Sequence, residues 1–374
     1  MSPQRTALPL IRRTALLGLL IPLLTVGTGA VAHPDPVDRP QPGTRQWRRD
    51  SVGAVRLPDP VTATPGTVAR FFAAVPAAER TRLVARYPSV VGNLDGAPPE
   101  LRFAANDRLV RPRARSAPRA AGPRPGTRTL AYDPRGRGTV VEVLGDLATA
   151  DRIAVVVPGN DADLSHLDGP GHLRDLAGGL RVAVDTAGAG TRVAVVAWGG
   201  YRAPAGLGAD ALRADLARAG ADRLVRFLAG LSAYRPDAPV GLFCHSYGSL
   251  VCRFTAARAR VADLVVLGSP GLRAADVTAL RTPARVWAAL AAGDWVGTVP
   301  HVQVCGLGHG PSPVSAGFGA RVVGTDGARG HTGYLTPGTD SARNLARIAL
   351  GDYGHVTGTA GTAPSGQARA DVRG

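Results

Sequence analysis

One stretch of the sequence decides the fold: Val240-Gly241-Leu242-Phe243-Cys244-His245-Ser246-Tyr247-Gly248-Ser249-Leu250-Val251. An apolar run leads into small residues and then into an amphipathic segment, which predicts a buried strand, a sharp turn at Ser246 and a helix. On such a turn the serine hydroxyl stands clear of the sheet, where a base can take its proton. The usual pattern is Gly-x-Ser-x-Gly, and Cys244 stands in place of the first glycine. A helix N-cap serine is the alternative, and the flanking strand and helix favour the nucleophile.

Outward from this turn, strand-like and helical segments alternate. The predicted strands are residues 139–143, 152–157, 192–197, 240–244, 263–267, 285–291 and, more weakly, 321–324. Helical periodicity is clearest in residues 209–231, 246–260 and 341–350. Alternation of this kind with fully apolar strands is typical of an α/β fold with a mostly parallel sheet, covered by helices on both faces.

The rest of the chain divides by composition. An arginine-containing start, an apolar run and Ala30-Val31-Ala32 predict a signal peptide over residues 1–32, with an uncleaved membrane anchor as the alternative. Either interpretation puts the remainder outside the cytoplasm. The expected segments are a flexible Pro- and Arg-rich stretch (33–63), a helical arm or partial lid (64–107), an Arg- and Pro-rich linker (108–137), the catalytic domain (138–352) and a disordered tail (353–374).

Composition limits the classes of partner. The 374 residues, 45% of them hydrophobic, can bury a large core, while the formal net charge of +16 would favour an anionic partner. Every basic residue is arginine, however, and the densest run, residues 108–137, has no interleaved pattern of aromatic residues for stacking on bases. We therefore expect a solvated linker and no nucleic-acid partner.

Three cysteines allow at most one disulfide. Cys244 ends the predicted strand and is expected to be a buried small residue, whereas Cys252 and Cys305 are a candidate pair. No metal-binding motif includes them.

A serine nucleophile needs a base and a carboxylate, which in this kind of fold follow the serine in the order acid, then histidine. Asp294 follows the strand 285–291, and His331 lies just before the last helix, so these two are the candidates. Asp276 is the reserve acid, with a turn or N-cap role as the alternative for Asp294. The other histidines after Ser246 are His301, His309 and His355, for which a structural role is the default, and His245 is expected to be a packing residue.

The developing oxyanion needs two N–H donors. The backbone N–H of Tyr247 is one candidate, and Asn160 or Asp161 in the loop after strand 152–157 would supply the other, with Gly159 permitting the close approach. An ordinary turn is the alternative for this loop. Trp198 and Tyr201 either line an acyl pocket or pack under a loop.

Several of these stretches resemble one family. Val157-Pro158-Gly159, Trp198-Gly199-Gly200-Tyr201, His245-Ser246-Tyr247-Gly248-Ser249, Gly293-Asp294 and the segment from His331 through Asn344-Leu345-Ala346-Arg347-Ile348 are similar to the α/β-hydrolase group catalogued as an actinobacterial domain of unknown function. Gly92-Asn93-Leu94-Asp95-Gly96 and Arg102-Phe103-Ala104-Ala105-Asn106 extend the resemblance upstream, to about residues 64–352. The resemblance implies the α/β-hydrolase fold, with Ser246, Asp294 and His331 as the triad, and brings no settled substrate.

The sequence therefore predicts a secreted serine hydrolase that cleaves small-molecule or lipid esters through an acyl-enzyme, without metal or organic cofactor. Acyl transfer to a cell-envelope acceptor and an inactive hydrolase scaffold that binds an envelope component remain open as alternatives. The oligomeric state is not predicted.

Overall fold

The computed structural model describes residues 39–116, 124–188 and 190–358, all within one compact unit. The helices are α1 (Thr44–Trp47), α2 (Pro65–Ala74), α3 (Ala77–Arg86), α4 (Pro88–Gly92), α5 (Pro99–Ser116), α6 (Leu173–Ala187), α7 (Ala209–Leu212), α8 (Asp215–Tyr234), α9 (Gly248–Ala256) and α10 (Asp340–Leu350). The strands are β1 (Ser51–Val52), β2 (Val55–Arg56), β3 (Thr127–Asp133), β4 (Thr139–Leu144), β5 (Arg152–Val157), β6 (Val193–Gly199), β7 (Val240–His245), β8 (Asp263–Leu267), β9 (Arg285–Ala289), β10 (Gln303–Val304), β11 (Leu307–Gly308) and β12 (Arg321–Val322). The predicted signal peptide lies outside the described residues.

An eight-stranded sheet organises the described chain, in the order β12-β9-β8-β7-β5-β6-β4-β3. The six strands from β12 to β6 run parallel, and β4 and β3 are added antiparallel at one edge. The predicted mostly parallel sheet is confirmed. From β5 the chain goes to β6 on one side and then to β7 on the other, so the strand order reverses beside β5. Ligands of open α/β sheets bind in the crevice at the carboxyl ends of the strands at such a point.

Helices cover both faces of this sheet because its strands are apolar on both sides. In β5, Val155 packs into the core beneath α8 and α9, whereas the neighbouring Val156 packs into the core beneath α6 and α10. The sequence analysis did not single out α6, although its buried residues Leu173, Leu176, Ala177, Leu180 and Val184 recur at helical spacing, and Gly178-Gly179 lower its helix propensity. Gly179 is needed there, since a Cβ would lie 2.8 Å from the carbonyl oxygen of Leu335.

The N-terminal helices have a small core of their own. Trp47 is buried among α2, α3 and α4, and its indole N–H donates to Pro58 O at 2.7 Å. The expectation of a flexible segment over 33–63 is therefore wrong for residues 39–63, because one buried tryptophan and Leu57 hold the stretch against the helices. The arm packs on α8 and β3, and none of its described residues lines a cavity at Ser246, so it is not a lid in this structure.

The predicted bounds of the linker and of the C-terminal tail also differ from the observed ones. The expected linker 108–137 is shortened from both sides, because α5 continues to Ser116 and β3 begins at Thr127. The prediction from composition did not find the end of α5 or the strand β3, because both lie in an arginine-rich stretch. Val110 of α5 and Leu130 of β3 are nevertheless buried. The tail begins later than expected, since Asn344 accepts a hydrogen bond from Thr357 N at 3.0 Å and so fixes the chain to at least that residue. Within the described ranges, no helix has both the length and the hydropathy to cross a bilayer.

Candidate active site

Ser246 lies on a strained turn between β7 and α9. Its φ is +53°, in the left-handed region that residues with a side chain rarely adopt, and its N–H donates to Leu267 O at 2.9 Å. Gly248 lets the turn pack tightly, since a Cβ there would clash with the Pro158 carbonyl oxygen. The backbone geometry is that of a nucleophile elbow, in which the strain persists because the surrounding structure determines it.

A disulfide spans this turn and corrects the predicted pairing. Cys244 is bonded to Cys252 of α9, and Cys305 is a free, exposed thiol. The prediction of Cys252 with Cys305 was wrong because sequence spacing carried no information on how α9 folds back over β7. Cys244 thus occupies the usual glycine position without a clash, its sulfur pointing to the helix that follows.

Asp294 and His331 lie side by side, after β9 and before α10. His331 Nδ1 is 2.9 Å from Asp294 Oδ1, and the carboxylate also accepts hydrogen bonds from the Tyr334 hydroxyl and the Val296 N–H. Burial raises the pKa of the Asp294 carboxyl, but the hydrogen bonds from His331, Tyr334 and Val296 lower it more, so the pKa lies below its usual value. The carboxylate stays ionised and holds the proton of His331 on Nδ1, which leaves Nε2 as the basic atom.

Three further residues support His331: Trp295 and Gly268, to which the sequence analysis gave no role, and His245, which it expected to be a packing residue. The buried His245 is bonded through Nε2 to His331 O at 2.6 Å, and the Trp295 ring lies against the His331 ring with centroids 4.9 Å apart. Burial and the nearby His331 lower the pKa of His245 to about 4, so it is neutral and donates to that carbonyl. Gly268 leaves room for the pair, since a Cβ would lie 2.7 Å from Asp294 Oδ2 and 3.0 Å from His331 Nδ1.

A sequence signal existed for some of these residues. Tyr334 follows His331 by three positions, and Gly268 comes directly after β8 at the same sheet edge as Ser246. The role of His245 had no such signal, because its contact joins the end of β7 to the main chain of a loop residue 86 positions further along the chain.

The other predicted candidates lie in turns. Asp276 is half-buried and accepts a hydrogen bond from the Thr278 N–H at 2.9 Å, and its described partners include no histidine. His301 contacts Pro270 O, and His355 contacts Asp352. His309 is buried, with Nε2 2.7 Å from Ala211 O.

Two residues that border the cavity at Ser246, Tyr247 and Asn160, carry the candidate N–H donors for an anion. Among the described residues, no hydrogen bond uses the N–H of Tyr247 or of Asn160, whereas the N–H of Asp161 donates to Pro204 O at 2.8 Å. Of the two alternatives for the second donor, Asn160 is thus the one with a free N–H. Gly159 brings this loop close, because a Cβ there would lie 2.7 Å from Ser246 Cβ.

Trp198 and Tyr201 pack under the loop and do not line the pocket. Both are buried and their rings stack with centroids 5.9 Å apart. The Tyr201 hydroxyl donates to Pro158 O at 2.8 Å. It therefore holds the loop that carries Asn160, which is an indirect contribution to the site.

Two cavities meet at Ser246. One, of about 590 Å³, is bounded by mostly apolar residues of α7, the segment after Asp294 and the β10–β11 hairpin. The other, of about 270 Å³, is bounded by Gly159, His172, His331 and their neighbours. Ser246 and His331 share the second cavity, although no hydrogen bond between described residues joins Ser246 Oγ to His331 Nε2. Such bonds are often long before a substrate is bound.

Comparisons with known proteins agree with this fold. A family model described as an alpha/beta hydrolase matches residues 133–304. Two uncharacterized proteins of Mycobacterium tuberculosis, from strains CDC 1551 and H37Rv, are each 27% identical to this chain, over 79% of it and 57% of their own length. The chain thus spans less than two thirds of these relatives.

Similar solved structures are an α/β serine hydrolase without a lid from Xanthomonas campestris (18% identity, 62% of this chain and 98% of that one, TM-score 0.40) and the esterase PE8 (21% identity, 55% and 97%, TM-score 0.35). The strand order and the turn at Ser246 are those of the α/β-hydrolase fold, and residues 133–304 match the alpha/beta hydrolase family model.

Proposed function

We propose that this protein is a serine hydrolase that cleaves carboxylic esters through an acyl-enzyme at Ser246. The observation that carries the proposal is the His331–Asp294 pair at the edge of the sheet where Ser246 sits on its left-handed turn. A serine, a histidine and a buried carboxylate in this chain order are the combination that acyl transfer requires.

In the first half-reaction, Ser246 Oγ attacks the ester carbonyl carbon while His331 Nε2 takes the hydroxyl proton. Asp294 stabilises the imidazolium that forms, since its carboxylate accepts a hydrogen bond from the Nδ1–H, with Nδ1 2.9 Å from Oδ1. The negative charge on the former carbonyl oxygen is received by the N–H groups of Tyr247 and Asn160. One donor of this kind contributes about 3 kcal/mol to the stability of the transition state.

The tetrahedral intermediate then collapses. The bond to the alcohol oxygen breaks and His331 gives that oxygen its proton, which leaves the acyl group on Ser246. In the second half-reaction water takes the place of the alcohol, loses its proton to His331 and releases the carboxylic acid with Ser246 restored.

We also propose that the protein works outside the cytoplasm. The disulfide between Cys244 and Cys252 supports this location, because disulfides persist in oxidising compartments and are rare in the cytosol. The predicted signal peptide over residues 1–32 is the second support, and cell fractionation with an antibody tests both.

A fluorophosphonate probe tests the catalytic proposal. Wild-type protein should gain one probe mass on the peptide that contains Ser246 and should hydrolyse p-nitrophenyl esters. Ser246→Ala should lose the label and at least about 10⁴-fold in kcat/KM. Ser232→Ala, which removes an exposed hydroxyl from α8, is the matched control and should behave as wild type. Equal labelling of wild type and Ser246→Ala would contradict the assignment.

A further inference from the structure

The two cavities at Ser246 differ in chemistry. Around the mouth of the larger one stand six hydrophobic side chains that are all exposed: Leu207, Leu212, Trp295, Val302, Val304 and Leu307. The smaller cavity, here called the polar cavity, has Asp161, His166, His172 and Thr332 among its walls together with apolar residues, and it shares Leu207 and Trp295 with the larger one. A substrate bound at Ser246 therefore has an apolar direction and a polar direction open to it.

The position of His331 decides which part of an ester takes which direction. His331 borders the polar cavity and not the apolar one. Because the histidine must hand its proton to the leaving alcohol oxygen, the alcohol has to lie on the His331 side of the scissile bond. The acyl chain then has to leave Ser246 on the opposite side, into the apolar cavity.

Resting on the proposed ester hydrolysis, we propose that the substrate is an ester of a long apolar acyl chain with a small alcohol that carries several hydroxyl groups. The volumes agree with this assignment, since the apolar cavity has about 590 Å³ and the polar one about 270 Å³. The products are the free fatty acid and the polyol, with water as the second reactant.

The walls of the apolar cavity are fastened to each other. Arg273 donates to Leu212 O at 3.0 Å and to Gly306 O at 2.7 Å, which ties α7 to the turn of the β10–β11 hairpin. His309 Nε2 contacts Ala211 O at 2.7 Å and makes a second link between the same two walls. These bonds hold the main chain on both sides of the cavity, and the hydrophobic side chains of Leu212 and Leu307 beside them are exposed to water. An acyl chain would cover them, and about 0.8 kcal/mol is gained for each methylene that becomes fully buried.

The polar cavity offers hydrogen-bonding groups to hydroxyls. His172 Nδ1 donates to His166 O at 2.7 Å, which leaves Nε2 facing no partner among the described residues. The His166 and His172 rings stack with centroids 6.1 Å apart. Thr332, next to His331, adds a hydroxyl that takes part in no hydrogen bond between described residues.

The first test needs no catalysis. Trp295 borders both cavities and is 42% exposed, whereas the other three tryptophans are at most 4% exposed, so a fluorescence change on ligand binding reports on Trp295, and the Val304 variant described below assigns it to the apolar cavity. Sodium decanoate added to Ser246→Ala protein should shift the emission to shorter wavelength, and sodium acetate should not. No shift with decanoate would overturn the acyl-chain assignment even if the protein hydrolyses esters.

Two valines give a matched pair of variants. Val304 and Val55 each lie in a two-residue strand of a small hairpin and are 64% and 60% exposed, but only Val304 borders the cavity. Val304→Asp should weaken decanoate binding at least fivefold, and Val55→Asp should leave it unchanged. Equal effects of both substitutions would contradict the proposal.

The second test uses turnover. The kcat/KM of p-nitrophenyl esters should rise about twofold to fourfold for each methylene added between the acetyl and decanoyl esters, and Val304→Asp should flatten this rise. Glyceryl mono-octanoate should be preferred over hexyl octanoate at least tenfold. His172→Phe and, more conservatively, Thr332→Val should reduce that preference without changing the slope of the acyl series.

The outcomes separate the two proposals. Absence of fluorophosphonate labelling on wild-type protein would overturn the ester-hydrolase function, whatever decanoate does. Labelling at Ser246 with a flat acyl series, or a preference for the hexyl ester, would leave the hydrolase function standing and overturn this substrate class.

Discussion

Removing the disulfide across the elbow should destabilise the protein and leave the serine reactive. Cys244 and Cys252 are both fully buried and are joined over a sequence separation of only eight residues. Replacing both by alanine takes away this cross-link between β7 and α9.

The length of the loop that the disulfide closes determines how much stability is lost when the disulfide is removed. In the chain-entropy description of a disulfide, closing a loop of about eight residues restricts the unfolded chain by about 2.5 kcal/mol at 25 °C. Loss of that restriction should lower the Tm by about 5 °C. Labelling of Ser246 by a fluorophosphonate at 25 °C should stay within about threefold of wild type. The turn is also held by the bond from Ser246 N to Leu267 O and by the packing of Gly248.

The assay is thermal unfolding without reductant, followed by circular dichroism. Cys305→Ala is the control, because that thiol is free and exposed, and its Tm should match wild type. Reductant should lower the Tm of the wild-type protein to that of the double variant and should leave the Tm of the double variant unchanged. Alkylation of unfolded wild-type protein should modify one cysteine before reduction and three after it.

Two results would refute this reasoning. Three cysteines that react before reduction would show that no disulfide forms. A double variant with wild-type Tm but greatly slowed labelling would show that the bond shapes the active turn and does not restrict the unfolded chain.

Two further predictions concern the surroundings of His331. Gly268→Ala places a Cβ 2.7 Å from Asp294 Oδ2 and should lower kcat/KM at least about 100-fold, whereas Gly53→Ala, with a similar φ of +57° but open space, should leave kcat/KM unchanged. His245 has a pKa of about 4 in the folded state, against about 6.5 when unfolded, so the unfolded state binds more protons between these values. The free energy of unfolding should therefore fall by up to about 3 kcal/mol as the pH drops from 6.5 to 4. His245→Gln should flatten this dependence in urea titrations, and an equally steep profile in that variant would contradict it.

Local sequence predicted much of the sheet. Strands β5 and β8 were predicted with their observed bounds, because each is a continuous apolar run that ends at polar or turn residues. Strand β3 was not predicted, since it begins with Thr127-Arg128-Thr129 and ends at Asp133, in a stretch whose composition is that of a linker. An edge strand needs only one buried face, so its hydrophobic signal is weaker.

The positions of Ser246, Asp294 and His331 along the chain were enough to single them out as candidates, because each follows a predicted strand or precedes a helix at the same sheet edge. The contact of His245 with His331 was not predictable, and the positions of Gly268 and Tyr334 beside predicted elements did not by themselves assign their roles, because all three act through contacts between segments that are distant in sequence.

The turn around Ser246 shows most clearly which features the local sequence determines and which depend on the tertiary structure. The sequence alone determined the strand, the serine and the helix around residue 246, because apolar periodicity and small residues are local properties. Only the tertiary structure decided that Cys244 pairs with Cys252, and that an apolar and a polar cavity meet at Ser246 with His331 on the polar side. Those features depend on how segments that are distant in sequence come together at one edge of the sheet. A local sequence pattern carries no information on the spatial distance between such segments.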